Sequence, residues 1–356
     1  MNGTERDRRL ELLERLSNCF GVSGFEDDVR SLVLEEVEPY IDAYEIDPLG
    51  NLIVTKHGHS EHTVMLDAHI DEIGFMVTYV EESGFLRFAQ TSGWDLRIVP
   101  AHRITIRSEN GVDITGVIGT KPPHILSAEE RSRTFRQDDL FIDIGASDDR
   151  QVAAVGVRVG SPAVIHYPFE QLNANTVTGK ALDNRAGCAV AIEALRQLEG
   201  ETPELTLKVA FTVREEVGLL GATTAAYQVN PDIALVLEGT IGADTPGVPS
   251  NKRITRLGAG PAITVMDGSQ IVRPEMVRLL EKLGSDHGIP HHLKLPPIGG
   301  TDGGAIQRSR GGVLSGTLSV PCRYIHSPVS IMRLEDLDHT IDLTTAFIRK
   351  CGTLLP

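Results

Sequence analysis

The stretch TVMLDAHIDE, residues 63–72, is the clearest fold signal in this chain of 356 residues. It begins as a short apolar run and then changes abruptly to aspartate, histidine and glutamate. An apolar run of this length that stops at polar residues is typical of a buried strand whose end opens into a site. We therefore predict a central strand that carries functional side chains at its carboxyl end.

The same pattern recurs three more times along the chain, at residues 205–213, 233–237 and 313–320. Helical periodicity separates these apolar runs, at residues 185–198, 222–227, 274–287 and 334–348. Strands that alternate with helices favour an α/β fold with a doubly wound, largely parallel sheet. Ahead of this region, Ser23 and Glu26 have the spacing of a capping box at the start of a helix.

A different texture fills residues 74–165, where helical periodicity disappears and short Val/Ile alternations take over. This change predicts an inserted β-rich domain, with residues 1–73 and 166–356 forming the catalytic domain. Within the insertion, the polar stretch 121–139 is expected to be an ordered surface loop.

The composition limits the possible partners and compartments. The formal charge of −15 makes nucleic acid and anionic membranes poor partners. Four cysteines lie far apart without a CxxC pair, which argues against a zinc ribbon and a disulfide framework and favours a reduced cytoplasm. The sequence contains no apolar signal core and no stretch of membrane length, so we expect neither secretion nor anchoring.

Several acidic and imidazole side chains follow the predicted strands, and ligands in open α/β sheets bind beyond the carboxyl ends of strands. These ends carry His69 with Asp71, Glu215 with Glu216, Glu238, and His326. A further carboxylate, Asp183, lies in a loop just before a helix. Two imidazoles and three carboxylates suit a pair of divalent ions with one carboxylate bridging them.

Each of these residues also has a structural explanation. A lone histidine at a strand end is often a hydrogen-bonded structural residue, and Glu215–Glu216 could begin a helix, where the dipole favours negative charge. Asp183 could cap the helix that follows it. Their convergence at neighbouring strand ends favours the metal site.

The spacing of the predicted ligands suggests how they divide their work. Residues two apart on a strand point the same way, so Asp71 can hydrogen-bond the second ring nitrogen of His69 and fix its tautomer. A solvent-facing Asp71 is the alternative. Glu215 and Glu216 are adjacent and point to different sides, so only one of them easily reaches a metal. The other is free to activate water.

Five motifs occur in order across nearly the whole chain: HIDEIG at 69–74, ALDNRAG at 181–187, EEVG at 215–218, GGTDG at 299–303 and RYIHSP at 323–328. Together they resemble the signatures of the tetrahedral aminopeptidases, dinuclear metallopeptidases that include glutamyl and deblocking aminopeptidases and members labelled endoglucanase. The resemblance implies hydrolysis of the N-terminal peptide bond of short peptides through a hydroxide that bridges two metals.

The resemblance also assigns roles to individual residues. His69, Asp183 and Glu238 would hold one metal, and Asp183, Glu216 and His326 the other, with Asp183 bridging. Glu215 would act as the general base. Asp71, because of its spacing to His69, is predicted as a further catalytic-site residue. Zinc or cobalt would occupy both positions. The peptide bond between Asp183 and Asn184 would be cis.

An assembly follows from the same resemblance. The inserted segment would be a small, β-barrel-like dimerisation domain, from which dimers build a homo-dodecameric tetrahedral shell. Such a shell admits short peptides with a free N-terminus but no folded protein.

Three alternatives remain open at this point. Glutamate at position 238, where aspartate is frequent in these aminopeptidases, also occurs in related carboxypeptidases, so a carboxypeptidase or deacylase could use the same two metals. The endoglucanase label would require two facing carboxylates around a sugar and no dependence on metal. A non-catalytic metal-binding assembly protein would have no need of Glu215.

Overall fold

The computed structural model describes residues 3–294 and 299–355. The helices are α1 (Gly3–Asn18), α2 (Asp27–Val37), α3 (Ala128–Ser132), α4 (Asp149–Ala154), α5 (Leu182–Gln197), α6 (Leu220–Val229), α7 (Pro274–Asp286), α8 (Gly303–Ile306) and α9 (Leu334–Ile348). The strands before the helix α5 are β1 (Ala43–Ile46), β2 (Leu52–Lys56), β3 (Thr63–His69), β4 (Phe75–Val80), β5 (Leu86–Gln90), β6 (Arg103–Arg107), β7 (Asp113–Thr120), β8 (Leu140–Asp143), β9 (Pro162–Ile165), β10 (Glu170–Asn173) and β11 (Thr176–Gly179). The later strands are β12 (Thr206–Thr212), β13 (Ile233–Ile241), β14 (Ala262–Thr264), β15 (His292–Lys294), β16 (Leu314–Arg323) and β17 (Ser330–Arg333).

A mixed sheet forms the centre of the larger part of the chain, in the order β1-β2-β12-β3-β13-β16-β17-β11-β10. The strands β12, β3, β13 and β16 run parallel to one another, and antiparallel strands flank them on both sides. Two short strands, β14 and β15, extend the sheet from β16. Because neighbouring parallel strands end at the same edge, this arrangement brings the polar residues that follow them together.

Helices cover both faces of this sheet, which confirms the predicted doubly wound α/β fold. Strand β3 shows how the sequence specifies the two faces. Val64, Leu66 and Ala68 are buried in the large core, whereas Met65 points into the smaller core beneath α6 and α8. Burying a valine, leucine or methionine side chain completely contributes roughly 1.5–3 kcal/mol. Burial on both faces explains why this strand reads as a continuous apolar run.

A closed six-stranded barrel forms between β3 and β10, in the strand order β4-β5-β8-β7-β6-β9. Its core is separate from those of the sheet. Phe75 lies at the centre of an aromatic cluster, with ring centroids 5.1 Å from Phe88 and 4.9 Å from Trp94. The predicted barrel-like structure of the insertion is thus confirmed. The stretch 121–139, expected to be only a loop, also contains the short helix α3, which Ser127 and Glu130 cap.

The capping box predicted at Ser23 and Glu26 is wrong. Helix α2 begins at Asp27, so Glu26 is its N-cap position, and the Glu26 side chain makes no capping bond there. Instead the Glu26 carboxylate accepts a hydrogen bond from the Gly24 N–H at 2.7 Å, and the Ser23 hydroxyl donates to Asp71 at 2.6 Å. The Ser23 hydroxyl thus bonds to Asp71, a residue distant in sequence, and not to the start of helix α2.

The cysteines are free thiols, and Cys188 and Cys322 are fully buried. Burial raises the pKa of Cys188 to about 12, and its thiol lies 3.2 Å from the His69 carbonyl oxygen. Over residues 3–294 and 299–355, no helix is both long and apolar enough to cross a membrane.

Candidate metal centre

The five predicted ligands come from five separate elements and meet at the carboxyl edge of the parallel strands. His69 is the last residue of β3, and Asp183 lies in the first turn of α5. Glu216 follows β12 in a turn, Glu238 lies in β13, and His326 follows β16.

The strand that carries Glu238 is longer than the sequence indicated. We predicted that it ends at Glu238, but β13 continues to Ile241, where it still pairs with Cys322 of β16. Glu238 therefore projects from within a strand, and its side chain is only 4% exposed.

The backbone around Asp183 is irregular. Its peptide bond to Asn184 is cis, as the family resemblance implied. Asp183 has φ −89° and ψ 102°, which is not helical, and Ala181 occupies the N-cap position of α5. The Asn184 side chain accepts a hydrogen bond from the Gly187 N–H at 3.0 Å, so Asn184 and not Asp183 caps the regular part of this helix. The side chain of Asn184 links this turn to strand β13, because it donates to the Leu237 carbonyl at 2.8 Å and accepts from the Gly239 N–H at 2.9 Å.

His69, Asp183 and Glu238 form the first group of candidate ligands. His69 Nε2 lies 3.5 Å from Asp183 Oδ1 and 3.6 Å from Glu238 Oε2. These distances are longer than ordinary hydrogen bonds. They are close to the separation of about 3.4 Å expected between two ligands of one tetrahedral zinc ion, given metal–ligand bonds of about 2.1 Å.

His326, Asp183 and Glu216 form the second group. His326 Nε2 lies 3.7 Å from Asp183 Oδ2 and 3.6 Å from Glu216 Oε2. Asp183 thus directs one carboxylate oxygen towards His69 and the other towards His326. This division of its two oxygens is the arrangement that a bridging carboxylate requires.

Asp71 is fully buried and positions the backbone of the two glutamates that follow β12. Its two carboxylate oxygens accept hydrogen bonds from the backbone N–H groups of Glu215 at 2.9 Å and Glu216 at 3.2 Å. Ser23 donates a third hydrogen bond to the same carboxylate at 2.6 Å. His69 Nδ1 lies 3.3 Å from Asp71 Oδ1 and 3.2 Å from the Asp71 carbonyl oxygen, so both acceptors can hold this ring nitrogen.

Glu215 belongs to neither of these two groups, although a looser group joins it with His69 and Glu216. Its Oε2 lies 4.0 Å from His69 Nε2, farther than either Asp183 or Glu238. Burial raises the pKa of Glu215 well above its ordinary value. A buried carboxyl group beside the candidate ligands is suited to exchange a proton with a reacting water.

Two residues of the barrel, Ser92 and Gly93, also contact the site, and the sequence analysis missed both. The Ser92 hydroxyl donates to Glu216 Oε2 at 2.7 Å. His326 Nδ1 lies 3.0 Å from the Gly93 carbonyl oxygen, which fixes Nδ1–H as donor and leaves Nε2 free to bind metal. These contacts span 124 and 233 residues, so no local pattern could have revealed them.

A cavity of about 580 Å³ opens in front of these groups. Gly299, Gly300 and Thr301 line it, so the glycine-rich motif forms part of the pocket wall. Asp302 of the same motif is fully buried and accepts a hydrogen bond from Thr212 at 2.9 Å. The cavity wall also includes Lys294, which the sequence analysis did not single out.

The electrostatics of the site fit a cationic occupant. Burial raises the pKa of Glu216 and of Glu238 to about 7. Glu238 Oε1 is buried and has no hydrogen-bond partner among the described residues. A buried cluster of carboxylates needs positive charge to stay ionised. Two imidazoles and three carboxylates at these separations fit two divalent ions.

Comparison with known proteins gives a consistent family. The profile of the M42 glutamyl aminopeptidase family matches residues 50–343. The lysyl aminopeptidase of Pyrococcus furiosus is 32% identical, over 96% of this chain and 96% of the relative. The glutamyl aminopeptidase of Lactococcus lactis is 30% identical, over 97% and 98%.

Solved structures give the same result. A TET aminopeptidase from a marine sediment thaumarchaeon superposes with a TM-score of 0.94 at 36% identity, covering 97% of both chains. The TET1 peptidase of Pyrococcus horikoshii, described as assembling into a tetrahedron or a large octahedral shell, gives 0.86 at 33%, over 96% and 99%. A Thermotoga maritima structure labelled endoglucanase gives 0.78 at 31%, over 95% and 97%.

Proposed function

Because this chain belongs to the M42 glutamyl aminopeptidase family, and is therefore an aminopeptidase, we propose that it cleaves short peptides with two divalent metal ions. The proposed ligands of one ion are His69, Asp183 and Glu238. Those of the other are Asp183, Glu216 and His326. The observation that carries the proposal is the bridging geometry of Asp183, whose two oxygens face the two imidazoles at 3.5 and 3.7 Å.

Two bound divalent ions would supply a water of lowered pKa and would polarise the carbonyl group of the scissile bond. Glu215 accepts the proton of that water as general base and then donates it to the leaving amine. Asp71 keeps Glu215 and Glu216 in place through their backbone N–H groups. The imidazole and carboxylate ligands favour zinc or cobalt.

We further propose that residues 74–165 form the dimerisation domain and that residues 1–73 and 166–356 form the catalytic domain. The separate core of the barrel supports this division. A homo-dodecamer built from dimers is proposed from the likeness to Pyrococcus horikoshii TET1, which is described as a dodecamer. The free thiols support a cytoplasmic location.

The test uses metal-stripped protein reloaded separately with zinc, cobalt or manganese. Each form is assayed on aminoacyl anilides, on short peptides with a free N-terminus and on the same peptides with an acetylated N-terminus. The particle mass of each form is measured alongside. We expect hydrolysis of free N-termini only, lost on chelation and restored by metal. Equal turnover of the acetylated peptides would favour a carboxypeptidase or deacylase, and activity that survives complete chelation would refute the metal mechanism.

A further inference from the structure

One positively charged side chain faces the cavity without belonging to the proposed metal site. Lys294 is the last residue of β15, is 5% exposed and lines the cavity together with the proposed ligands. Within residues 3–294 and 299–355, the Lys294 ammonium has no hydrogen-bond or ion-pair partner.

The charges around the cavity make this lysine distinctive. Every other ionisable group of the described lining, apart from the exposed Tyr324, is a proposed metal ligand or Glu215. The next four residues of the sequence, 295–298, are Leu-Pro-Pro-Ile and carry no ionisable side chain. Among the described residues of the cavity wall, Lys294 therefore has no dedicated counter-ion.

The nearest sources of negative charge are already engaged. Asp267, Glu238 and Asp183 interact with the lysine electrostatically. The Asp267 carboxylate accepts hydrogen bonds from the Ser269 N–H at 2.7 Å and from the Gln270 side chain at 3.0 Å. Glu238 and Asp183 are proposed metal ligands, so bound metal would compensate their charge. A buried ammonium left without a partner is unfavourable, and a substrate anion would remove that cost.

We propose that Lys294 binds a carboxylate group of the peptide substrate and so favours substrates that place a carboxylate at this position. The inference rests on the proposed function, because it places the peptide in the cavity beside the metal site. Two carboxylates could reach the lysine: the side chain of an N-terminal glutamate or aspartate, or the C-terminal carboxylate of a dipeptide. A charge-assisted hydrogen bond of this kind gives a preference of about 10- to 100-fold.

The experiment compares kcat/KM for glutamyl and glutaminyl anilides, which differ in one charge and lack a C-terminal carboxylate. A second pair compares Leu-Gly with its C-terminal amide. We expect the wild-type protein to prefer the charged member of one pair by about tenfold or more, and the responding pair identifies the carboxylate. Lys294→Met should remove that preference and Lys294→Arg should restore much of it. Lys282→Met, at an exposed lysine of α7, is the matched control and should keep the wild-type ratio.

A binding measurement makes the result independent of turnover. Calorimetry on the metal-loaded Glu215→Gln protein, with and without Lys294→Met, compares glutamate with glutamine, and Leu-Gly with its amide. Lys294→Met should weaken only the charged ligand of the responding pair. If wild-type and Lys294→Met proteins treat both members of both pairs alike, the inference is refuted, even where leucyl anilide is hydrolysed and the proposed function stands. Absence of all hydrolysis alongside a Lys294-dependent preference in binding would instead refute the proposed function alone.

Discussion

Replacing Ser92 by alanine should weaken metal binding although the residue lies in the barrel. Its hydroxyl donates to Glu216 Oε2 at 2.7 Å, and the same oxygen lies 3.6 Å from His326 Nε2. Hydrogen bonds to charged groups contribute about 1.5–3 kcal/mol. Ser92 is only half-buried, so water would replace part of this interaction and the loss should be near 1.5 kcal/mol at the lower end of that range.

That free energy corresponds to roughly tenfold in affinity. It agrees with the 10- to 100-fold effects that follow the loss of a partner of a metal ligand. The assay titrates the metal-stripped protein with zinc against a chromophoric chelator, so that two affinities are resolved. The affinity for the ion proposed to bind Glu216 and His326 should fall about tenfold. The affinity for the other ion should change little, because His69 and Glu238 make no described contact with Ser92.

Two further variants separate this effect from general damage to the barrel. Ser92→Thr keeps a hydroxyl at the same position and should retain most of the affinity. Ser83→Ala removes an exposed barrel serine whose hydroxyl contacts only Glu81 among the described residues, at 3.3 Å, and should change neither affinity. The reasoning fails if Ser92→Ala leaves both affinities within about twofold of wild type, or if Ser83→Ala lowers them equally.

Three other substitutions follow from the structure. Glu215→Gln should lower kcat at least about 100-fold while calorimetry still detects two bound metals, and retained turnover would exclude Glu215 as the base. Asp71→Asn should weaken metal binding about 10- to 100-fold, seen in the same chelator titration, because an amide cannot accept both backbone N–H groups without also presenting a donor to them. Glu193→Gln should cost about 3 kcal/mol in urea unfolding, because three arginines converge on this buried carboxylate. Burial raises the pKa of Glu193, but the hydrogen bonds and charges of Arg8 and Arg196 lower it by more, so the pKa lies below its ordinary value. The stabilisation should therefore be fully present above about pH 4.3 and be lost progressively as the pH falls from there through the lowered pKa of the folded protein. An equal cost of Glu193→Gln at pH 7 and pH 3 would contradict this assignment.

The sequence contained enough to predict the sheet and the convergence of the candidate ligands. Continuous apolar runs identified β3, β12, β13 and β16, and parallel strands necessarily bring their carboxyl ends to one edge. His69 and Glu216 could thus be placed near each other from pattern alone. The end of β13 could not, because Glu238 is buried within a strand and nothing in the local sequence distinguishes that from a strand end.

Contacts between segments that are distant in sequence could not be predicted from local sequence patterns. Ser23 looked like a helix cap because its spacing to Glu26 is correct, yet its hydroxyl is used by Asp71. Ser92 approaches Glu216 only because the barrel closes and turns its β5 end towards the sheet. Lys294 reads as one exposed lysine among many until β15 buries it against the cavity.

The central claim is that two metals share Asp183, and one titration tests it most directly. Metal-stripped protein receives zinc in steps, and bound metal and leucyl anilide turnover are measured on the same samples. We predict saturation at two ions per chain, with Asp183→Asn impairing the binding of both ions while Glu238→Gln and His326→Gln each impair one. Saturation with a single ion, or an Asp183→Asn protein that loses only one, would contradict the account.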